Sequence, residues 1–498
     1  LGALSSSQVG GLSGAAVAAL TEDQLASLSS VQIAGLGATQ LRALTTTAVS
    51  LLASTQLQAL TSTQLQALAP TELAVLSTGQ LQALSSAQLG ALATGSLRGL
   101  SGDQLSSLRQ DQLPGLTTTQ LSTLPSTLLA ALTTAQIAAL ATTQVRALSS
   151  VGVAALQDTQ IAALSAPQLA ALSAASLAGL GATSLAALSP AQLASLTSAQ
   201  LTGVGPGAFA GLSEQQAAAL TTTQLQGLNA AQTRGLTRAV VASLSVEQLA
   251  SLNAGGLSGL SGDAVNGLTA AQLGSFSAAR LGSLTTAQVS ALSAGQLGAF
   301  TAQQLVGLAA TQMVGITSTA IDGLSTTQLS GLSTTQVAGL SVAAVRELNQ
   351  TQPGALGTDQ LRALTVTQIR GLTSENIAEL SASAFAALTS TQLGSLSPAA
   401  VAGLSQDQLA SLTTTQAAGL SSALLGSLEL TQLSALAPSQ VAALSTTALA
   451  GLRTDEITAL SSEQLGALTS KQLGALASTQ LWSLSASQLA QLATAQLA

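Results

Sequence analysis

Adjacent carboxylates are the first residues in this chain whose type and spacing could do chemistry, because paired acids can exchange a proton or bind a cation. Two such pairs occur, Glu22–Asp23 and Asp455–Glu456. Each falls where the surrounding pattern predicts the first turn of a helix, and the helix dipole stabilises negative charge there. We therefore interpret both pairs as charges at helix starts, with no catalytic or metal-binding role.

Composition limits the other chemistries. The chain has no cysteine and no histidine, which excludes Ser-His-Asp and Cys-His catalysis within it, disulfides, and the commonest ligands of transition metals. It has no phosphate-binding loop of the G-x-x-x-x-G-K-[ST] type, and it lacks the dense Asp and Asn oxygens of a calcium loop. The sequence predicts no enzyme, no cofactor, and no catalytic, cofactor-binding or metal residues.

Two further residues stand out singly. Asn349 begins a glycosylation sequon, Asn349-Gln350-Thr351, but it also falls at a predicted helix N-cap, where Asn is a preferred residue, so capping is the default explanation. Trp482 is the one tryptophan. It falls at a variable position that is expected to face solvent, and the alternative is an intermolecular contact.

The elements that would position these residues are set by an eight-residue repeat, Leu-[Ser/Thr]-x-x-Gln-Leu-x-Ala, as in residues 60–68. One apolar series runs from Leu4 to Leu492 at every eighth residue, which makes (492 − 4)/8 + 1 = 62 positions. A second series runs from Leu1 to Leu497 in the same period. Such repeats predict an array in which each unit contacts mainly its neighbours.

Each octad contains a helix-start signal. Thr61 followed by Gln64 forms a capping box, and Leu60 and Leu65 occupy the two positions of a hydrophobic staple. Proline is tolerated in the first helical position, N1, and five of the nine prolines fall there. These are Pro70, Pro190, Pro206, Pro398 and Pro438. Seven of the 12 basic residues fall at N5, near the end of each helix, where the dipole favours cations: Arg42, Arg98, Arg146, Arg234, Arg346, Arg362 and Arg370.

The pattern therefore predicts an all-α fold, a thin α-solenoid of very short helices with one helix per octad. A β-solenoid is the alternative, because Thr runs such as Thr221-Thr222-Thr223 suit strands. On a flat strand, however, the two leucine series, spaced five and three apart, would point to opposite faces. One continuous helix would not keep the leucines on one face, because eight residues advance about 80° beyond two turns.

Residues 1–498 are predicted to form one continuous solenoid of about 62 repeats. Weak points are expected near 204–233, where the cap, the Gln and two core residues are lost, and near 353–357, at Pro353-Gly354. A net charge of −7 without a basic patch argues against nucleic-acid binding. Polar residues return in every octad, so no membrane span is expected.

The run Leu-Thr-Thr-Ala-Gln-Ile-Ala-Ala-Leu at 132–140 and its relatives resembles octapeptide-repeat regions of large secreted or surface proteins of proteobacteria, which are adhesin-like or fibre-like. The resemblance implies an extracellular or cell-surface location. We expect a structural protein that forms a filament or matrix fibre by head-to-tail and lateral assembly. Its partners would be copies of itself and other cell-surface or matrix components. The alternative is the rigid stalk of a surface adhesin.

Overall fold

The computed structural model describes residues 1–497, and the regular structure in that range is entirely helical. It contains 56 α-helices and six 3-10 helices, together 62, one for each octad. The predicted all-α fold with one short helix per repeat is confirmed. No strand occurs between residues 1 and 497, which removes the β-solenoid alternative and, with it, any function that needs rows of threonine on strands.

Contacts between Cα atoms divide the chain into two compact units, Leu1–Gly259 and Leu260–Ala498. The prediction of one continuous array remains a prediction. The 3-10 helices of the first unit are Ser96–Gly99, Leu113–Gly115 and Pro206–Gly211. Its α-helices are Ser6–Gly10, Gly14–Ala18, Glu22–Ala26, Ser30–Ala34, Ala38–Leu41, Thr46–Ser50, Ser54–Gln58, Ser62–Ala67, Pro70–Ala74, Thr78–Ala83, Ser86–Ala91, Gly102–Ser106, Thr118–Thr123, Ser126–Ala131, Thr134–Ala139, Thr142–Arg146, Ser150–Ala155, Asp158–Ala162, Ala166–Ala171, Ala174–Leu177, Ala182–Ala186, Pro190–Ala194, Ser198–Gly203, Glu214–Ala219, Thr222–Gly227, Ala230–Thr233, Arg238–Ser243, Val246–Ser251 and Ala254–Gly259.

The second unit has the same construction. Its 3-10 helices are Ile321–Gly323, Pro353–Ala355 and Pro398–Gly403. Its α-helices are Gly262–Asn266, Ala270–Gly274, Ala278–Gly282, Thr286–Ser290, Ala294–Gly298, Ala302–Leu305, Ala310–Met313, Thr326–Ser330, Thr334–Gly339, Val342–Arg346, Thr358–Ala363, Val366–Gly371, Ser374–Ala378, Ala382–Phe385, Ser390–Gly394, Gln406–Ala410, Thr414–Ala417, Ser422–Leu425, Leu430–Ser434, Pro438–Ala443, Thr446–Leu449, Thr454–Ala459, Ser462–Gly466, Ser470–Leu473, Ser478–Trp482, Ala486–Leu489 and Thr494–Leu497.

The helix Ser62–Ala67 shows why each element is so short. Thr61 is extended at φ −73° and ψ 161°, and its hydroxyl accepts from the backbone amide of Gln64. Leu68 returns to an extended conformation at φ −62° and ψ 126°. The next residue already caps the following helix, so the chain changes direction once in every octad. The capping box that the sequence predicts at Thr61 and Gln64 is confirmed.

Both leucine series lie in the core. Leu65, of the series that contains Leu1, is 0% exposed, and Leu68, of the series that contains Leu4, is 2% exposed. The four phenylalanines and the methionine occupy the same two positions of the octad and are buried: Phe209, Phe276, Phe300, Phe385 and Met313. Burial of one or two large aliphatic groups from each octad supplies the main stabilisation of each turn.

Octads return to each other after between three and four repeats. In both units side chains bond to backbone carbonyls 25, 28 and 31 residues away, as Arg42 does with Ala67 and Gln64 with Leu36 and Ile33. The helices that pack against each other on adjacent turns are three octads apart, as Val342–Arg346 and Val366–Gly371 are.

Small residues before the leucines of the first series let adjacent turns approach closely. A Cβ atom on Gly99 would overlap the carbonyl oxygen of Pro70, and one on Gly115 would overlap that of Ser86, both 29 residues earlier. Successive helices are joined end to end, whereas helices three octads apart pack side by side.

The two expected weak points keep their helices but change their local bonding. Gly205 has no side-chain cap, and the 3-10 helix Pro206–Gly211 follows it. Thr233 is fully buried, and its hydroxyl bonds to the carbonyl of Asn229 at 3.2 Å. Pro353 lacks the amide that would make the first α-helical bond, so Pro353–Ala355 is a 3-10 helix.

The sequence predicts no membrane span because polar residues return in every octad. Each helix within residues 1–497 is too short, and has too few consecutive apolar residues, to cross a membrane.

Replacement of Leu65 by Ala tests the core. Leu65 is fully buried, so Leu65→Ala is expected to lower the free energy of unfolding by about 2–5 kcal/mol. Coupling runs between neighbouring turns, so faster hydrogen exchange should be confined to octads within about one turn. Leu51→Ala is the matched control, since Leu51 is 45% exposed. Exchange that accelerates evenly over the whole chain would contradict the prediction.

Candidate functional site

The polar group that recurs in every part of the chain is the glutamine at the third helical position, N3. In Gln64 the side-chain Oε1 accepts from the backbone amide of Thr61 at 2.7 Å, which closes the capping box. Its Nε2 donates to the carbonyls of Ile33 at 2.9 Å and Leu36 at 2.7 Å, one turn earlier. The side chain is 2% exposed. One buried amide therefore caps the start of its own helix and bonds to the end of a helix one turn earlier.

We call the set of these side chains the glutamine ladder. Each member donates from Nε2 to the backbone carbonyl 28 residues before it. In the first unit the ladder consists of Gln32, Gln40, Gln56, Gln64, Gln80, Gln88, Gln104, Gln112, Gln120, Gln136, Gln144, Gln160, Gln168, Gln192, Gln200, Gln216, Gln224, Gln232 and Gln248. In the second unit it consists of Gln288, Gln296, Gln304, Gln312, Gln328, Gln336, Gln352, Gln360, Gln368, Gln392, Gln408, Gln416, Gln432, Gln440, Gln464, Gln472, Gln480, Gln488 and Gln496. Most of these residues therefore both cap a helix and bond to the preceding turn.

Shorter polar side chains take the same place at a few octads. Ser176 donates to the carbonyl of Leu148 at 2.7 Å, and Asn376 donates to that of Leu348 at 2.9 Å. Both acceptors lie 28 residues earlier. The ladder position therefore requires a hydrogen-bond donor within reach of this carbonyl more than it requires glutamine itself.

A second set of bonds points the other way along the chain. From the N5 position, Arg42 donates to the carbonyl of Ala67 at 3.1 Å and Arg362 to that of Ala387 at 3.0 Å, each 25 residues later. Gln82 and Asn266 make the same bond, to Ser107 and Ala291. The sequence predicts only that N5 faces outward. The signal for the missed bonds is the occasional long donor in a column that is otherwise Ala, Gly or Ser.

The structure places the two acidic pairs at helix starts. Glu22 and Asp23 are exposed in the first turn of Glu22–Ala26, and Asp455 and Glu456 lie in the first turn of Thr454–Ala459.

The prediction that Asn349 caps a helix is wrong. A turn follows Asn349, and the 3-10 helix of its octad begins only at Pro353. The Oδ1 of Asn349 accepts from the amide of Thr351 at 3.1 Å, and its Nδ2 donates to Asp322 at 2.8 Å. Trp482 is 84% exposed. Among residues 1–497 no three acidic side chains come together as a metal ion would require.

Two ladder positions carry an acid in place of the amide, Glu72 and Glu456. The Oε2 of Glu72 accepts from the amide of Ala69 at 2.6 Å, and that of Glu456 accepts from the amide of Arg453 at 2.5 Å. Their side chains are 5% and 0% exposed. The capping half of the box is thus preserved, but a carboxylate has no proton to donate to the preceding turn.

Glu456 is the more enclosed of the two. Its Oε1 lies 2.9 Å from Nη2 of Arg453, yet this buried oxygen makes no well-aligned hydrogen bond within the described residues. Burial raises the pKa of Glu456 above its ordinary value, while the amide and the charge of Arg453 act in the opposite direction. Burial likewise raises the pKa of Glu72, against the amide of Ala69 and the charge of Arg42. The sequence identifies Asp455–Glu456 as a pair, but the two acids differ in environment, since Asp455 is 59% exposed.

Comparison with known proteins also indicates a repeat protein. Residues 129–166, 354–390 and 433–470 match the ALTTAQ repeat family. The chain is a repeat protein. The first matched segment lies in the first unit and the other two in the second unit. No curated protein matches the chain.

Gln64→Ala tests the ladder in this repeat protein. The substitution removes the partner of the Thr61 amide and of two carbonyls in a buried place. Because unpaired buried polar groups are costly, the free energy of unfolding should fall by about 1–3 kcal/mol. Gln66→Ala, on the exposed side of the same helix, is the control and should leave chemical denaturation almost unchanged. Equal effects of the two substitutions would show that the ladder contributes nothing specific.

Glu456→Gln tests the acidic rung. The folded-state pKa is raised, so the stability that Glu456 contributes is complete below the unfolded pKa and is lost as pH rises through the folded pKa. Glu456→Gln should therefore stabilise the protein, with a gain that is smallest near the ordinary glutamate pKa of 4.5 and grows toward neutral pH. Denaturation curves at several pH values measure it. Glu463→Gln, an exposed acid in the first turn of the next helix, should show no such increase. A gain independent of pH would contradict the assignment.

Proposed function

We propose that this chain is a structural protein that forms an extracellular filament or matrix fibre by head-to-tail and lateral assembly of its helical solenoid. The observation that carries the proposal is the direction of the glutamine ladder. Every rung donates from a later turn to a carbonyl of an earlier one, as Gln120 does to Leu92 and Gln368 to Leu340. A turn therefore has one face rich in side-chain donors and another rich in carbonyl acceptors.

Two such faces on different copies are complementary, because they repeat the contact that already joins turns within a copy. A contact between unlike faces is heterologous and does not need to close into a ring, so it leads to open linear assemblies. Apolar burial from the leucine series would add to it at roughly 25 cal/mol per Å². Head-to-tail growth thus requires no surface beyond the one that each turn uses.

Lateral association is supported by the weak charge of the outer surface. Only 6% of residues are charged, and the net charge is −7 over 498 residues. Copies that lie side by side would repel one another little. The exposed Ser and Thr side chains near helix starts, such as Thr46 and Thr47, offer hydroxyls for contacts between copies. The extracellular setting and the matrix partners follow from the sequence resemblance.

The 498-residue chain itself provides a test of assembly. The side-chain amides of Gln8 and Gln24 cap their own helices but donate to no carbonyl within the described residues. We expect the purified chain to form linear filaments, visible by electron microscopy and light scattering, at low and at molar salt, because the contact is mostly apolar and uncharged. Gln8→Ala with Gln24→Ala should slow filament growth, whereas Gln66→Ala should not.

The opposite result is equally defined. A chain that stays monomeric at high concentration in both salts would contradict the filament and favour the adhesin stalk, in which the same solenoid acts as a spacer. Filaments that grow at the same rate in the double variant and in Gln66→Ala would show that assembly does not use the ladder.

A further inference from the structure

Two octads of the second unit differ from all others in the type of side chain at their ends. In the whole sequence only these two combine a valine at N1 with an arginine at N5: Val342 with Arg346, and Val366 with Arg370. They are (366 − 342)/8 = 3 octads apart, and their helices, Val342–Arg346 and Val366–Gly371, pack against each other on adjacent turns. The valines are 41% and 38% exposed, and both arginines are exposed.

The two octads border a recess of about 320 Å³, a volume at the lower end of the range for small-ligand sites. Val342, Arg346 and Arg370 line it together with Gly371, and the polar side chains of Ser374 and Ser397 come from this turn and the next. Gly371 keeps the recess open, since a Cβ atom there would lie 2.7 Å from a methyl group of Val342.

The guanidinium groups of Arg346 and Arg370 are not committed to other contacts. Neither lies within ion-pair distance of a carboxylate in the described part of the chain, whereas Arg109 pairs with Asp111 and Arg453 with Asp455. Neither makes the forward bond to a carbonyl that Arg362 makes to Ala387. Two cations on adjacent turns therefore face one small recess without an anion between them.

Two carboxylates follow lining residues in the sequence, Glu347 after Arg346 and Glu375 after Ser374. The pKa of Glu375 is lowered by its own backbone amide and by the hydroxyls of Thr373 and Ser374. These bonds hold its charge at the start of its own helix. Neither carboxylate forms an ion pair with the two arginines of the recess within the described residues, so both arginines keep their positive charge unpaired.

We propose that this recess binds an oxyanion, a phosphate or sulfate ester or a carboxylate, that is carried on a small apolar group. Guanidinium groups bind such anions through paired, charge-assisted hydrogen bonds. The anion would lie between Arg346 and Arg370, with the hydroxyl of Ser397 as a further donor. The apolar group would cover Val342, which removes exposed apolar surface from water. The recess opens at the side of the turns, so the site is separate from the head-to-tail contact that is proposed for assembly.

The test uses the full chain and two probes, inorganic phosphate and hexyl phosphate, in titration calorimetry at low salt. Hexyl phosphate is expected to bind more tightly than inorganic phosphate, and Arg346→Gln with Arg370→Gln should weaken it at least tenfold. Val342→Ala should weaken hexyl phosphate but leave inorganic phosphate unchanged. Hexyl sulfate and hexanoate in place of hexyl phosphate distinguish the three sources of the anion, and binding of any one of them with the same dependence on both arginines supports the site.

The matched control is Arg146→Gln with Arg234→Gln. These arginines occupy the same N5 position, and their substitution removes the same charge. Neither of them has an arginine three octads away. The control should bind hexyl phosphate as the unsubstituted chain does, and far-UV circular dichroism should show that both double variants remain helical. Unchanged binding after loss of Arg346 and Arg370, an equal loss in the control, or equal affinity for the two phosphate probes would each overturn the proposal.

Discussion

In most octads a single primary amide serves two separate stretches of backbone. Helices of four to six residues leave most of their terminal amides and carbonyls without partners inside the helix, so a chain made only of such helices has a large unmet need for hydrogen bonds. The Gln side chain meets part of that need twice, with Oε1 at its own helix start and Nε2 at the end of a helix one turn earlier, as in Gln64. Leucine burial supplies the driving force, but the amide fixes which backbone groups meet.

This double use explains which substitutions the position accepts. Ser176 and Asn376 keep a donor and reach the same carbonyl. Glutamate keeps only the acceptor, so Glu72 and Glu456 leave the bond to the previous turn unmade unless they are protonated. At Glu456 the octad carries an arginine, Arg453, where most octads carry Ser or Thr. The guanidinium of Arg453 reaches the carbonyls of Gly426 and Leu428 that the amide would otherwise serve. The guanidinium of Arg453 thus replaces the hydrogen-bond donor that Glu456 lacks.

Much of the fold was accessible from the sequence because the signals are local. The Thr61–Gln64 capping box, the two buried leucine series and one helix per octad all follow from spacing within eight or nine residues. The number of octads per turn did not follow, since it depends on how helices pack and on close approaches such as Gly99 over Pro70. The forward bonds from Arg42 and Arg362, and the recess between Arg346 and Arg370, required that number first. Without a period of three to four octads, residues 24 or 25 apart have no reason to be considered neighbours.

The ladder has a genetic consequence. A rung joins residue i to residue i − 28, that is, an N3 side chain to the backbone carbonyl of an apolar residue in the series that contains Leu4, whichever octads supply them. Deleting or duplicating eight residues shifts every later octad to a new partner, but that partner presents the same chemical groups. Slippage or unequal recombination between copies of a 24-nucleotide unit therefore yields a chain whose ladder is still in register, at a different length. Selection on such a gene acts on array length almost freely, whereas an insertion that is not a multiple of eight residues would break the phase of both leucine series.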